Sequence, residues 1–373
     1  WSSDARLAWN VLLDDDAHAN GAFTRGGATV WQISREQLLA CRDRQPNIYY
    51  RIVSRVAVSI NRRRRLLADQ LYHNRREPGQ MGGIRVEHDS LGRRELSDQA
   101  YYGVQTLRAM ENFAISGIAV RTFDHLIEAL AMVTKAAAEA NHTLGQLDQA
   151  RTRAICEACD ELLRGRLHDQ FTVDMFQGGA GTSTNMNANE VIANRGLELM
   201  GHRKGDYTHL HPNDHVNRSQ STNDAYPTAV KLAVLLAGRS LTRAMRDLRR
   251  ALDEKGAAFH DVLKMGRTEN QDAVPMTLGQ EFSAYAVMID SAIRAIDNAA
   301  EELLDINMGA TAIGTGITSP PGYADLVTVR LAEISTFPLR RARNLVEATQ
   351  NAGTFVQMSA ALKRAAVQIS KIC

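Results

Sequence analysis

Three segments of the chain concentrate hydroxyl and amide side chains that helix packing does not require. They cover residues 178–190, 211–224 and 265–275. Within them, Thr222, Asn223 and Thr268 lie just upstream of long stretches with helical periodicity, where the free N–H groups and the dipole of a helix favour anions. If the segments converge, they form a site for a small polyanion such as a dicarboxylate. Each segment alone is also typical of helix caps and turns.

Two other kinds of site are suggested by residue type but not by spacing. The glycines of 178–181 do not match the G-x-G-x-x-G dinucleotide-binding pattern, and no strand pattern precedes them. Four histidines, at positions 202, 209, 211 and 215, lie close together in the sequence, but their spacing fits no zinc template. The sequence therefore predicts neither a dinucleotide-binding fold nor a metal site.

The cysteines indicate a reducing compartment, most simply the cytoplasm. The four residues, Cys41, Cys156, Cys159 and Cys373, are too few and too irregular for a disulfide framework. Cys156 and Cys159 form a C-x-x-C pair in a stretch of helical character. This pair lacks the preceding strand of a redox motif and the second ligand pair of a zinc site. We expect two inert helix cysteines.

Composition indicates a helical protein without a membrane span. The chain has 373 residues, with 44 Lys and Arg against 42 Asp and Glu, which gives a formal net charge of +2. Nucleic-acid binders usually carry a strongly basic domain, so this balance argues against one. Only 26 Gly and 8 Pro are present, which favours helices over loop-rich β architecture. No run of apolar residues is long enough for a transmembrane helix.

Residues 1–80 differ in composition from the rest of the chain. They contain 13 Arg, 8 acidic residues and no Lys. The run Arg62–Arg65 is more typical of a solvated charged surface than of a nucleic-acid or membrane patch. Met81 follows a stretch rich in Pro and Gly and is typical of a natural start. We interpret 1–80 as an appended extension that assembly of the protein does not require.

Apolar residues at alternating spacings of three and four predict long helices in the second half of the chain. Such spacing places the residues on one face of a helix. We predict three helices of about 30 residues, or about 45 Å each, in a tight bundle extended by self-association. The three stripes are Leu241, Met245, Leu248 and Leu252; Phe282, Ala286, Ile289, Ile293, Ile296, Ala300 and Leu303; and Phe355, Met358, Leu362, Ala365, Ile369 and Ile372.

From Met81 onward the chain resembles the fumarase/aspartase superfamily. The resemblance implies a mainly α, fumarase/aspartase-like fold, with a mixed N-terminal domain over 81–222 and a long-helix bundle over 223–373. It also implies a homotetramer with a twenty-helix core, in which each active site takes segments from three subunits. The segments that carry it are GTSTNMNANEV at 181–191, HPNDHVNRSQSTND at 211–224 and GRTENQDAVPMTLGQE at 266–281.

Within the superfamily, shorter segments resemble aspartases more than fumarases. The implied reaction is reversible deamination of L-aspartate to fumarate and ammonia, in which a base removes a proton from Cβ and an aci-carboxylate forms. A fumarase or a non-catalytic homologue are the alternatives, and no redox or organic cofactor is implied. The segments are AYYGVQTLRAMENF at 100–113, STND at 221–224 and LKRAAVQISKIC at 362–373.

The resemblance also assigns the residues that bind the substrate. Thr268 would position the amino-acid end of the substrate. Glu269 stands where relatives commonly have His or Gln, and it is either protonated, turned away or facing the substrate ammonium. The residues that would hold the substrate carboxylates are Thr182, Ser221, Thr222 and Asn223.

The same match also concerns a secondary binding site and the catalytic base. His211, Asn213 and Asp214 match a secondary dicarboxylate site of fumarases. The family's catalytic base is a serine in a flexible GSS-x-x-MP-x-K-x-N loop that would follow Cys373, so the base is not assigned to any residue of this chain. Because that loop carries both the base that removes the proton and the lysine that stabilises the intermediate, we expect residues 1–373 alone to be inactive.

Overall fold

The computed structural model describes residues 83–179 and 181–373. The extension predicted over 1–80 lies outside these residues, as does Met81. Helices dominate the described part of the chain, and each of its sheets has two strands. The predicted mainly α class is therefore confirmed.

An antiparallel hairpin begins the described chain. Strand β1 (Ile84–Asp89) pairs with β2 (Gly92–Ser97). The buried guanidinium of Arg85 donates to the carbonyl oxygens of Ser97, Ala100 and Tyr102 at 2.9, 2.6 and 2.7 Å. These bonds fix the path of the chain from the hairpin into the first helix.

Four helices follow and form the first part of the core. Helix α2 (Asp124–Thr143) is rich in alanine, and Ala129, Ala131, Ala136, Ala137 and Ala140 are fully buried. Because alanine is small, α2 packs closely against several neighbours, among them α3 (Gln149–Leu163). The four helices are α1 (Val104–Asn112), α2 (Asp124–Thr143), α3 (Gln149–Leu163) and α4 (Thr182–Leu199).

The predicted pair of helix cysteines lies on α3. Cys159 is fully buried and Cys156 is partly buried, and both are free thiols. Burial raises the pKa of the Cys156 thiol to about 12. A thiol with so high a pKa forms little of the reactive thiolate at neutral pH, which agrees with the prediction of inert cysteines.

Three long helices form the second part of the fold. Helix α5 (Thr222–Ala258) has 37 residues, α6 (Leu278–Glu302) has 25 and α9 (Gly353–Ile372) has 20. The predicted uniform length of about 30 residues is thus wrong for each helix, although the helices and their order are right. Helix α6 packs against both α5 and α9.

The predicted apolar stripes are only partly buried. On α6, Ile289, Ile293 and Ile296 lie in the core as predicted. On α5, by contrast, Met245 is buried while Leu248 is exposed; Leu241 on α5 and Leu362 on α9 are exposed as well. The stripe on α5 is wider than the contact with α6, so one edge of it remains uncovered.

Short elements connect these helices. A second hairpin, β3 (Leu263–Thr268) and β4 (Gln271–Thr277), joins α5 to α6. The helices α5 and α6 therefore lie side by side with the hairpin at one end. The segments between α6 and α9 are β5 (Asp305–Ile306), α7 (Tyr323–Ser335), β6 (Arg340–Arg341) and α8 (Leu345–Gln350).

No helix in the described part of the chain is long and apolar enough to cross a membrane.

The backbones of α5 and α6 touch where α6 begins. A Cβ atom on Gly279 would lie 2.5 Å from the carbonyl oxygen of Gly256 and 2.6 Å from Cα of His260. Both are backbone atoms, which a side-chain rotation cannot move away. Gly279 therefore sets how closely the end of α5 approaches the start of α6.

We predict that Gly279→Ala lowers the free energy of unfolding by about 1–3 kcal/mol, because the two backbones must separate. Gly238→Ala is the matched control, since a Cβ on Gly238, in the middle of α5, meets no atom within 4 Å. The control should raise stability by about 0.5–1 kcal/mol through helix propensity. Urea unfolding followed by circular dichroism measures both. Equal stability of Gly279→Ala and the wild type would contradict the close approach.

Candidate active site

The first candidate segment begins helix α4, and its glycine is required by a neighbouring ring. Gly181 has a φ of +92°, and a Cβ there would collide with the ring of Tyr226 on α5. Thr182 follows as the first helical residue, and its side chain is exposed. Its hydroxyl donates to the carbonyl oxygen of Gly179 at 2.6 Å. The contact with Tyr226 thus ties the start of α4, with Thr182, to the first turns of α5.

The second candidate segment begins helix α5 with a capping box. The Ser221 hydroxyl accepts from the backbone N–H of Asn223 at 3.2 Å, and the Ser221 N–H donates to the carboxylate of Asp224 at 2.9 Å. This reciprocal pair fixes the helix start at Thr222. It also holds Ser221, Thr222 and Asn223 in one rigid turn.

Asparagine side chains join the two helix starts. Asn185 on α4 donates through Nδ2 to the hydroxyl of Thr222 at 3.4 Å and to Oδ1 of Asn217 at 3.2 Å. Asn189, one turn further along α4, also donates to Oδ1 of Asn217, at 3.2 Å. Because Asn185 and Asn189 are buried, these bonds connect 178–190 directly to 211–224.

The carboxylate of Asp224 holds the loop after β5 against the start of α5. It is fully buried and accepts from the backbone N–H groups of Gly309 at 3.2 Å and Thr311 at 2.8 Å, in addition to that of Ser221. Burial raises the pKa of Asp224 to about 7, while its backbone N–H partners lower it. The loop after β5 is therefore fastened to the same helix turn that carries Ser221.

A proline inside α5 leaves a carbonyl oxygen that Asn307 satisfies. Pro227 has no N–H, so the carbonyl oxygen of Asn223 lacks its helical partner. The buried Asn307 donates to this oxygen from Nδ2 at 3.1 Å, and its Oδ1 accepts from the hydroxyl of Thr228 at 3.2 Å. The side chain of Asn223 in turn donates to the carbonyl oxygen of Ala312 at 2.8 Å. Asn223 is thus held through both its backbone and its side chain.

Glu190, at the end of the first candidate segment, has a structural role, because it binds the backbone at the start of α1. Its buried carboxylate accepts from the backbone N–H groups of Gly103, Gln105 and Thr106 at 2.8, 2.9 and 3.0 Å. These groups form the N-terminus of α1, whose dipole favours a negative charge. Burial raises the pKa of Glu190, and hydrogen bonds from Thr106 and Gln105 lower it.

The joined starts of α4 and α5 offer uncharged donors to an anion. Ser221, Thr222 and Asn223 lie at the N-terminus of the 37-residue helix α5, and Thr182 lies at the N-terminus of the neighbouring α4. A helix N-terminus carries about half a unit of positive charge. A carboxylate bound there would be held by hydrogen bonds and by the helix dipole.

The third candidate segment lies at the tip of the β3–β4 hairpin. Glu269 and Asn270 form its two-residue turn with φ of +50° and +62°, and Thr268 pairs with Gln271 beside it. Thr268 and Glu269 are exposed. Within 83–179 and 181–373, no hydrogen bond or ion pair joins this turn to Thr182 or to the start of α5. A single chain therefore brings together two of the three segments.

The residues of the expected secondary site lie in a short π-helical turn, Pro212–Val216. Nδ1 of His211 accepts from the N–H groups of Asn213 and Asp214 at 3.1 and 3.2 Å, so the ring proton of a neutral His211 lies on Nε2. The side chains of Asn213 and Asp214 are exposed. The groups offered to a ligand here are thus the Nε2–H of His211 and the Asn213 amide.

The sequence did not reveal Asp224, Asn307 and Tyr226 as positioning residues. Asp224 had a signal, because a serine followed three residues later by an acidic residue is typical of a capping box. Pro227 signalled that a helix carbonyl would need another partner. No local signal could identify that partner as Asn307.

Comparison with known proteins identifies the family. Residues 92–373 match the lyase family. The chain is 54% identical over 290 residues to an aspartate ammonia-lyase of Helicobacter pylori and 56% identical over 290 residues to one of Pseudomonas aeruginosa. An aspartate ammonia-lyase of Escherichia coli is 52% identical over 291 residues. Each match covers 78% of this chain, which spans only 61–62% of the length of these relatives.

Solved structures share the fold. A Brucella melitensis protein described as fumarate lyase:delta crystallin bound to cobalt has a TM-score of 0.77 and 51% identity, over 78% of this chain and 63% of that one. A class II fumarase from Schistosoma mansoni has a TM-score of 0.73 and 32% identity, over 77% and 63% of the two chains. These matches confirm the predicted fumarase/aspartase-like fold. With its helical architecture and the match over 92–373, the chain belongs to the lyase family, within the fumarase/aspartase superfamily.

Proposed function

We propose that the protein to which this chain belongs catalyses the reversible deamination of L-aspartate to fumarate and ammonia. The observation that carries the proposal is the joined start of α4 and α5, where hydroxyl and amide groups lie at two neighbouring helix N-termini. The relatives that are 52–56% identical to the chain and named aspartate ammonia-lyase support the same reaction.

This site suits the intermediate of such a reaction. When a base removes a proton from Cβ, the electron pair moves into the adjacent carboxylate, which becomes a dianion, and ammonia then leaves from Cα as the double bond forms. Fixed donors and a helix dipole stabilise such a charge because they need not reorient. We propose that Thr182, Ser221, Thr222 and Asn223 hold the two carboxylates, and we assign no residue of this chain as the base.

We infer that Thr268 and Glu269 act in the site of another copy of the chain, in a homotetramer with shared active sites. The β3–β4 hairpin supports this because it is exposed on a single chain and carries apolar side chains, with Leu263 78% and Val274 67% exposed. The positive φ of Glu269 is unfavourable for a residue with a Cβ. Strain of this kind is typical of positions that serve a function.

A second dicarboxylate site at His211, Asn213 and Asp214 is part of the proposal. Its support is the Nε2–H of His211, since Nδ1 already accepts from backbone N–H groups. The negative charge of Asp214 lies close by, with its carboxylate 3.4 Å from Nδ1 of His211. Such a site would therefore bind more weakly than the first.

The cytoplasmic location stays a prediction from cysteine usage.

The first test is the activity of the complete gene product with aspartate and with malate. We expect fumarate to form from aspartate, with one ammonia released per fumarate, and we expect none from malate. Ultraviolet absorbance follows fumarate, and an enzyme-coupled assay follows ammonia. Fumarate formed from malate alone would show a fumarase and overturn the proposal, whereas no turnover of either compound would support the non-catalytic alternative.

The second test removes one hydroxyl at the start of α5. Thr222→Val keeps the shape of the side chain and should lower kcat/KM for aspartate by about 10²–10³, the usual effect of losing one donor to an oxyanion. Thr242→Val is the control, because the Thr242 hydroxyl bonds to the carbonyl oxygen of Gly238 within the same helix. Steady-state kinetics should show the control within about twofold of the wild type. An equal loss in both variants would argue against a binding role for Thr222.

The third test asks whether one site uses two copies of the chain. Thr222→Val and Thr268→Val should each be nearly inactive. When the two variants are co-expressed with different tags and the mixed tetramers purified, about a quarter of the sites should carry both native threonines. We expect a corresponding recovery of activity. No recovery in verified mixed tetramers would mean that both threonines of a site belong to one chain.

A further inference from the structure

Three potential metal ligands converge on the loop between α4 and the π-helical turn. The nitrogen ligand atoms of His202 and His209 and the carboxylate oxygen of Asp206 all lie within 4.8 Å of one another. The two imidazole rings are stacked, with centroids 3.7 Å apart and planes inclined by 7°. In the described residues this is the one group of three or more such side chains. It lies outside the proposed substrate site.

Buried contacts hold this loop in place. The N–H of His202 donates to the carbonyl oxygen of Leu197 at 2.8 Å, and the N–H of Gly205 donates to the side chain of the buried Asn194 at 2.8 Å. At the other end, Arg151 donates through Nε to the carbonyl oxygen of His209 at 2.7 Å. The next residue, Leu210, is fully buried. The backbone that carries the three ligands is therefore fixed before any ion binds.

The carboxylate of Asp206 is oriented and charged. The Thr208 hydroxyl donates to its Oδ1 at 2.6 Å, while Oδ2 lies 3.7 Å from Nε2 of His209. One oxygen is thus held by the protein and the other remains available to an ion.

We propose that His202, Asp206 and His209 bind a divalent first-row transition ion such as Zn²⁺ or Co²⁺. Two imidazoles and one carboxylate suit these ions, whereas Mg²⁺ prefers oxygen ligands alone. Metal–ligand bonds of about 2.0–2.2 Å place neighbouring ligand atoms roughly 3.3 Å apart. Because the lone pairs of the stacked rings lie in parallel planes, the exposed imidazole of His209 must turn out of the stack to bind the same ion as His202.

The same geometry leaves room for water on the ion. His209 is exposed and His202 and Asp206 are half-buried, so one side of the site faces solvent. Three protein ligands with water at the remaining positions are a common arrangement. An ion there would link the end of α4 to the residue that precedes Leu210, and so would stiffen the loop beside His211.

Equilibrium dialysis of the complete gene product against Co²⁺, with the visible absorption spectrum of the bound ion, tests the proposal. We expect one ion bound at this site. His209→Ala and Asp206→Asn should each raise the Kd of that site by about 10–100-fold. His260→Ala is the control, because His260 is also exposed beside an aspartate, with Nε2 3.0 Å from Asp261, but lies outside the cluster.

The outcome is decided by the variants. Loss of the bound ion and of its ligand-field bands in both His209→Ala and Asp206→Asn, with unchanged binding in His260→Ala, supports the site. Unchanged Co²⁺ binding in the first two variants, or no saturable binding by the wild type up to about 1 mM, overturns it. Far-ultraviolet circular dichroism verifies that each variant is folded, and exposed His209 is the safest position to change.

Discussion

The carboxylate of Asp224 is the contact on which the geometry of the candidate site depends. It accepts from Ser221 within the capping box and from Gly309 and Thr311 in a loop 85 and 87 residues away. A buried carboxylate is costly unless donors surround it, and these backbone N–H groups provide them at the end of a helix that favours negative charge. The start of α5 and the loop after β5 therefore depend on the same side chain.

Asn223 shows how the site combines a weakened helix with tertiary support. Pro227 removes a helical hydrogen bond in the second turn of α5, which by itself destabilises the part of the helix that would bind substrate. Asn307 supplies the missing donor, and its other hydrogen bonds to Thr228 and Thr349 leave it little freedom. The exposed amide of Asn223 is thus presented from a backbone that the helix alone would not fix.

The sequence predicts local features of this protein better than contacts between distant segments. Periodicity located the long helices, and the polar segments placed Thr222 and Asn223 correctly at the start of one. The same prediction is wrong for Thr268, which lies at a hairpin tip with strand β4 between it and α6. Periodicity gives the apolar face of a helix but not what covers it. Leu241 and Leu248 belong to the predicted stripe of α5 and are exposed in a single chain, and the predicted self-association would cover such a face. Asp224 and Asn307 each form a hydrogen bond with a residue more than 80 positions away in the sequence. No spacing rule could predict those partners.

The β3–β4 hairpin differs in kind from the start of α5. Within the chain, Ser221 and Asn223 are held by several hydrogen bonds each, whereas Thr268 and Glu269 lie at an exposed tip whose turn has two residues in the left-handed region. Glycine would relieve that strain at position 269 by about 1 kcal/mol, so a glutamate there costs stability without any gain visible in a single chain. Contact with another copy at the tip would supply such a gain. In the assembly that we propose, folding positions Thr182, Ser221, Thr222 and Asn223, and association brings Thr268 and Glu269 to them.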